Sequence, residues 1–221
     1  SLAADVTATD IFTYTVSDAG GGSDTGQLVI TITGTNDLPI IGGAGTGSVT
    51  EDVAVVGGNL STGGALTITD ADAGQSSFVA GSGTYTGTGL QLGKLSITAA
   101  GVWTYTAANA DVQYLGAGDT KLETFTVSAA DGTLHTISVT INGAQDAPSA
   151  TNEFVPIPKD ATHILSVADF GIVDPDVSDP LTVTVTSRPV EGDLWHYDGT
   201  KWVKVAVDGT NYVISKEDIE N

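Results

Sequence analysis

Apolar and polar residues alternate along most of this chain, and a period of two predicts half-buried strands rather than helices. Phe125 and Val127, then Ile137, Val139 and Ile141, fall on one face of two successive segments. Taken in order, the pattern predicts strands over 11–17 and 27–33, joined by Asp18-Ala19-Gly20-Gly21-Gly22-Ser23-Asp24. Two strands cannot bury a core by themselves, so residues 1–36 are expected to be the closing strand pair of an incomplete domain. A complete domain is expected over 37–146. Its strands are read at 49–56, 65–69, 78–79, 84–86, 90–98, 102–106, 123–128 and 134–142. Residues 107–118 are the one segment expected to form a short helical or irregular crossover. Residues 147–221 are expected to begin a further domain, with a strand over 181–186 and a hairpin of 194–197 with 202–205 around Asp198-Gly199.

The closing segments repeat. Gly34-Thr35-Asn36-Asp37-Leu38-Pro39 returns as Gly143-Ala144-Gln145-Asp146-Ala147-Pro148, each after an alternating strand. Phe12 to Asp18 lines up with Phe125 to Asp131, both with Phe six residues before Asp. The turn between the paired strands is four residues shorter in the second copy, where a hairpin tolerates a change of length. The junction aspartates are 109 positions apart (146 − 37), an ordinary size for one β-sandwich. The chain therefore reads as an all-β tandem array.

Composition narrows the functional classes. A net charge of −20 argues against nucleic acid and anionic membrane as partners. The absence of Cys excludes disulfides and Cys-ligated metal, and no apolar run is long enough to span a membrane as a helix. Nucleophile elbows, phosphate-binding glycine loops and metalloprotease spacings are also missing, so no enzyme activity is expected. Many of the acids instead recur at equivalent points of the repeat. Calcium takes six to eight oxygens from carboxylates, amides and carbonyls, which such clusters supply. The junction residues Asn36 and Asp37, the strand-end pair Asp70 and Asp72, and the hairpin residue Asp131 are expected to converge on one pole of the middle domain. Gln145 and Asp146 with Asp174 and Asp176 make the corresponding set at the next junction, and Asp18 is the counterpart of Asp131. Glu51 and Glu153 are further candidates whose pole the sequence leaves open. A turn aspartate such as Asp131 also has a purely structural use.

The run 66–76 (Leu-Thr-Ile-Thr-Asp-Ala-Asp-Ala-Gly-Gln-Ser), then 101–106 (Gly-Val-Trp-Thr-Tyr-Thr), 115–119, 124–127 and 131–133, carries a resemblance. Residues 37–146 resemble a VCBS repeat of large bacterial surface adhesins of the RTX type. Residues 10–37 and 147–221 resemble the cadherin-like repeats of the same giant proteins. The resemblance implies immunoglobulin- or cadherin-like β-sandwiches in a linear array, Ca2+ between them, and a secreted, cell-surface protein exported by a type I route. It implies a structural extender in cell adhesion and biofilm formation, with neighbouring repeats or protomers of the same protein as partners. Gln145 departs from the first junction, standing where that one has Asn36.

Weaker signals remain. Gly42-Gly43-Ala44-Gly45 starts like a calcium-binding nonapeptide but has Gly47 where Asp is needed, so it reads as flexible linker. Asn59-Leu60-Ser61 matches an N-glycosylation pattern that is common by chance. His135, His163 and His196 lack ligand spacing and read as surface or half-buried strand residues. Trp195, Tyr197 and Trp202 form one aromatic cluster. It reads first as sandwich core, and alternatively as a glycan- or peptide-binding platform beside Lys201 and Lys204. A last expectation concerns assembly: residues 10–33 complete the further domain, in another chain or in a longer parent, and head-to-tail filaments follow.

Overall fold

A computed structural model describes residues 2–177, 179–187, 193–197, 200–204 and 212–215. Two compact units are distinguished: residues 1–112 with 120–142, and residues 113–119 with 143–221. Strands dominate both, and the described helices are two short 3-10 turns, Asn109–Asp111 and Val167–Phe170. No described helix is long and apolar enough to cross a membrane.

The first unit opens with a regular hairpin, β1 (Thr7–Ser17) and β2 (Ser23–Thr33). Its register pairs Phe12 with Leu28 and Asp10 with Ile30. Cross-strand partners share a face, so Phe12, Tyr14, Val16, Leu28, Ile30 and Ile32 line one side of it. Then come β3 (Ile40–Gly43), β4 (Thr46–Thr50), β5 (Asn59–Thr69), β6 (Gly81–Ser82), β7 (Thr84–Tyr85), β8 (Gly93–Ile97) and β9 (Val102–Ala108). After the 3-10 turn, β10 (Thr120–Ser128) and β11 (Leu134–Asn142) close the domain. One sheet runs β3-β5-β9-β8-β6 and the other β4-β11-β10-β7. The last pairing is the informative one: β4 lies parallel to β11, with Val49 opposite Ile141.

The core fills the space between these sheets, as alternation requires. Leu60, Leu95, Trp103 and Tyr105 come from one side, Phe125, Val127, Ile137, Val139 and Ile141 from the other, and all are buried. The Tyr105 and Phe125 rings meet edge to face across the sheets, with centroids 5.9 Å apart. Tyr105 sets its hydroxyl on Glu123 Oε2 at 2.7 Å. That carboxylate, fully buried, also accepts from the amides of Leu92 at 2.6 Å and Gly93 at 3.0 Å. Burial and the Glu123 hydrogen bond push the Tyr105 hydroxyl far above the usual tyrosine range.

The junction glycines have a steric origin. A Cβ at Gly143 would stand 2.2 Å from the Leu115 carbonyl oxygen, and one at Gly34 would stand 2.3 Å from that of Leu2. Gly143 donates to the Asp119 carbonyl at 2.9 Å and Gly34 to that of Val6 at 2.8 Å. The chain entering each closing strand pair crosses the chain leaving it, and only glycine lets the two backbones approach so closely.

The second unit contains β12 (Ser149–Ala150) paired with β13 (Ile172–Val173), and β14 (Thr182–Val185) paired with β17 (Tyr212–Ser215). A hairpin of β15 (Trp195–Tyr197) and β16 (Trp202–Lys204) completes the described strands. The turn Val167–Phe170 carries a capping box between Ser166 and Asp169, and ends on Gly171 in the left-handed region.

Three expectations are corrected. The strand read over 49–56 stops at Thr50. Asp52 and Ala54 take positive φ of 57° and 56° there, which ends regular strand. The segment read as flexible linker is in part strand β3, held against Ile68 and its neighbours of β5. β5 itself begins at Asn59, six residues earlier than the pattern suggests, because Gly63 and Gly64 hide its alternation. Asp198, Gly199, Val205, Arg188 and Lys216 lie outside the described residues.

Truncating the ring at the centre of this core tests the packing. Phe125→Ala should cost about 3–5 kcal/mol, read as a lowered midpoint in denaturant unfolding with an unchanged slope.

Candidate calcium-binding poles

At the first pole the junction backbone lands on a buried carboxylate. Asp37 N donates to Asp72 Oδ2 at 2.8 Å, and Asp72 is 1 % exposed. Asp72 in turn donates its amide to Asp70 Oδ1 at 2.8 Å, and Asp70 donates its own to Ser76 Oγ at 2.9 Å. Asn36 reaches Asp131 Oδ2 from the linker at 3.5 Å, the outer limit of a hydrogen bond. The five residues expected to converge from separate parts of the sequence thus meet, in pairs, around one end of the sandwich.

The second pole repeats the wiring. Asp146 N donates to Asp176 Oδ2 at 2.8 Å, and Asp176 N to Asp174 Oδ1 at 3.1 Å. Gln145 Nε2 donates to Asp176 Oδ2 at 2.9 Å and also to Asp179. Asp176 is 2 % exposed. The longer amide of Gln145 replaces Asn36 without loss of contact, since it bridges two carboxylates.

Several of these oxygens lack a donor. Asp70 Oδ2, Asp72 Oδ1, Gln75 Oε1 and Asp176 Oδ1 are buried and accept no hydrogen bond. An unsatisfied buried polar atom costs about 1–3 kcal/mol, and more when charged. The chemistry suits a hard cation, which needs only bare oxygens. Yet among the described residues no three acidic or histidine side chains close into a ready-made cage. The two observations are compatible, because calcium also takes amide and carbonyl oxygens, and because like charges turn towards backbone N–H groups where no cation draws them together.

Two members escaped the sequence reading. Gln75 and Asp179 each stand three residues past the buried aspartate, and their amides donate to the Asp72 and Asp176 carbonyls at 3.2 Å. Their position in a turn after Asp-x-Asp was the available signal. Other candidates divide. Glu51 is fully buried, with its amide on the Asn142 carbonyl at 2.9 Å, which puts it at the end opposite Asp131. Glu153 is exposed and accepts from Thr151 Oγ1 at 2.6 Å. Asp18 spends its carboxylate on its own turn, accepting from Gly22 N at 2.8 Å. His163 lies 3.1 Å from Asp169 Oδ2, an ion pair only when protonated. The Trp195 and Trp202 side chains are 49 % and 56 % exposed, so the core role first read for them is corrected.

Comparison with known proteins places the middle of the chain. The family model of the bacterial cadherin-like domain matches residues 36–143, just under half of the 221 residues. No curated protein matches the chain. Among solved structures, cadherin domains 1–4 of protocadherin gamma B7 are similar at 16 % identity and a TM-score of 0.31. That match covers 89 % of this chain and 48 % of the protocadherin chain, so the chain spans about half of it. Residues 36–143 are thus similar to the bacterial cadherin-like domain, and the described fold is all-β.

Asp131 gives a pH test of the pole. Hydrogen bonds from the Thr133 hydroxyl and amide, with a smaller one from Asn36, hold its carboxyl below the usual aspartate range. A depressed folded pKa contributes stability that is present above the unfolded value of about 3.9 and is lost as pH falls through the folded value. NMR titration should place the Asp131 midpoint below that of a model peptide, and Thr133→Val should move it back up.

Proposed function

We propose that this chain is a structural extender segment of a bacterial cell-surface adhesin, stiffened by calcium at its junctions. One observation carries this reading. The same buried aspartate, Asp72 in one domain and Asp176 in the next, takes the junction amide on one oxygen and leaves the other without a donor. Asn36, Asp37, Asp70, Asp72, Gln75 and Asp131 would hold the ion at the first pole. Gln145, Asp146, Asp174, Asp176 and Asp179 would hold it at the second. Bound calcium supplies the positive charge that lets these acids face one another. A linker whose backbone already rests on the liganding aspartate then loses its freedom to bend. The VCBS character, RTX-type export and a place in biofilm belong to the same proposal, supported by the residue patterns around Asp70 and Asp131.

Calorimetry with calcium and with chelator tests it. Ligand that binds only the folded form adds about 2.7 kcal/mol at a hundredfold excess over Kd, so chelation should lower Tm. Asp72→Ala should remove the first-junction response and spare the second. An unchanged Tm at millimolar calcium overturns the reading.

A second reading rests on the half-exposed rings of Trp195 and Trp202, which cross-strand pairing brings into neighbouring positions of one hairpin. Lys204 is ion-paired with Asp193 beside them. Flat exposed aromatics suit stacking on sugar rings. Glycan-array binding that disappears on Trp202→Ala would support it, and no binding to any array would remove it.

A further inference from the structure

In the middle domain a strand from the start of the fold and the strand that ends it lie side by side. The chain enters through Asp37 at the end that holds Asp72 and Asp131, and Asn142, the last residue of β11, lies at the opposite end. β4 runs parallel to β11 over five register pairs, from Thr46 opposite Ser138 to Thr50 opposite Asn142. Both strands therefore point from the entry end to the exit end. The ladder continues past the strand at each end: Ser138 N donates to the Gly45 carbonyl at 3.0 Å, and Glu51 N to that of Asn142 at 2.9 Å. A parallel ladder uses alternate residues, so Gly45, Gly47, Val49 and Glu51 turn their amides and carbonyls to β11. The Asn142 side chain adds to it, its Nδ2 donating to the Val49 carbonyl at 3.1 Å and reaching Thr50 Oγ1 at 3.5 Å.

The direction of a load decides how such a ladder fails. Tension along the chain draws β4 backwards toward the entry end and β11 forwards toward the exit end. The bonds between them run across the strands, so this sliding strains all of them together. Parting the strands from one end breaks the same bonds one after another. Forced unfolding is governed by the unfolding barrier, which is higher when several hydrogen bonds must be lost in one step. Peeling is resisted on both sides. β11 is held along its other edge by nine pairs with β10, and β4 is anchored by the buried side chains of Val49 and Glu51. β3 takes the load first, along four pairs with β5, but it contributes no buried side chain. Gly43, at φ 92°, then turns the chain from that sheet into the one that holds β4.

We propose that the β4–β11 ladder is the mechanical clamp of this domain, holding the fold closed against tension applied along the chain. The clamp rests on the reading of the chain as an extender segment, since a link in a series is what carries such a load. Asn142 is placed to serve it: the residue through which tension leaves the domain also ties β11 back to β4. The bonds are between backbone groups and one amide side chain, so the clamp itself needs no cation.

The chain has no cysteine, so attachment points for single-molecule force spectroscopy can be introduced into the full chain. Handles at Leu38→Cys and Ala144→Cys load the ladder lengthwise. Handles at Thr46→Cys and Thr136→Cys, both exposed and both toward the entry end, part it from one end. The domain should unfold at a severalfold higher force in the first direction. With the lengthwise handles, Val49→Pro removes an N–H directed at β11 and should bring the force down toward the second value. Ser48→Pro changes an outward position of an edge strand, where proline is accepted, and should leave the force unchanged. The comparison of directions keeps the ladder intact and decides the matter even where Val49→Pro fails to fold. Equal forces in the two directions overturn the clamp, and beside a calcium-dependent Tm they leave the extender reading standing. A force that depends on direction beside a calcium-independent Tm supports the clamp and removes the cation from the extender.

Discussion

A strand pair with one apolar face is stable only when something lies over that face, and most of this structure follows from meeting or not meeting that need. In the middle domain the face of β10–β11 is covered by a second sheet, and the cover sets everything else. Trp103 and Tyr105 reach across from β9, and Glu123 enters the core because the Tyr105 hydroxyl and two backbone amides satisfy it. The edge of β11 takes β4 in parallel, which carries Glu51 to the end of the sandwich opposite Asp131. The same strand pair as β1–β2 keeps its geometry with its face open, held by eleven paired positions on each strand.

The junctions obey a second constraint. The chain must leave the last strand, pass a crossing backbone and start the next domain within a few residues. Gly34 and Gly143 allow the crossing, and Asp72 and Asp176 catch the amide that follows. An aspartate is suited to this because one oxygen can serve the backbone while the other faces inward. The inward oxygen is then costly in an apolar surrounding and useful beside a cation. The linker's position and its candidate ion site are therefore set by one side chain.

Much of the architecture was legible in the sequence, for a physical reason. Strand alternation, turn glycines and the spaced repeat are local properties, each decided within a few residues by burial or backbone strain. That is why β10, β11, the hairpin pair and the convergence of Asp37, Asp70, Asp72 and Asp131 could be read in advance. Asp131 and the Asp70/Asp72 pair lie at strand ends, and strand direction alone determines which end.

Other features depended on contacts between distant segments. The early start of β5 was hidden because Gly63 and Gly64 carry no side chain to mark the alternation. The end of β4 at Thr50 came from positive φ at Asp52 and Ala54, which apolar pattern does not report. Asp179 and Gln75 joined the poles through a turn that a list of acids does not reveal. Glu123 is an acid among acids until the fold surrounds it with Tyr105, Leu92 and Gly93. The exposure of Trp202 likewise depended on what packs above its strand. Local pattern determined which residues form strands and where the chain turns. Only the tertiary structure decided which faces are covered and which oxygens are left without a donor, because both are settled by neighbours far away in the chain.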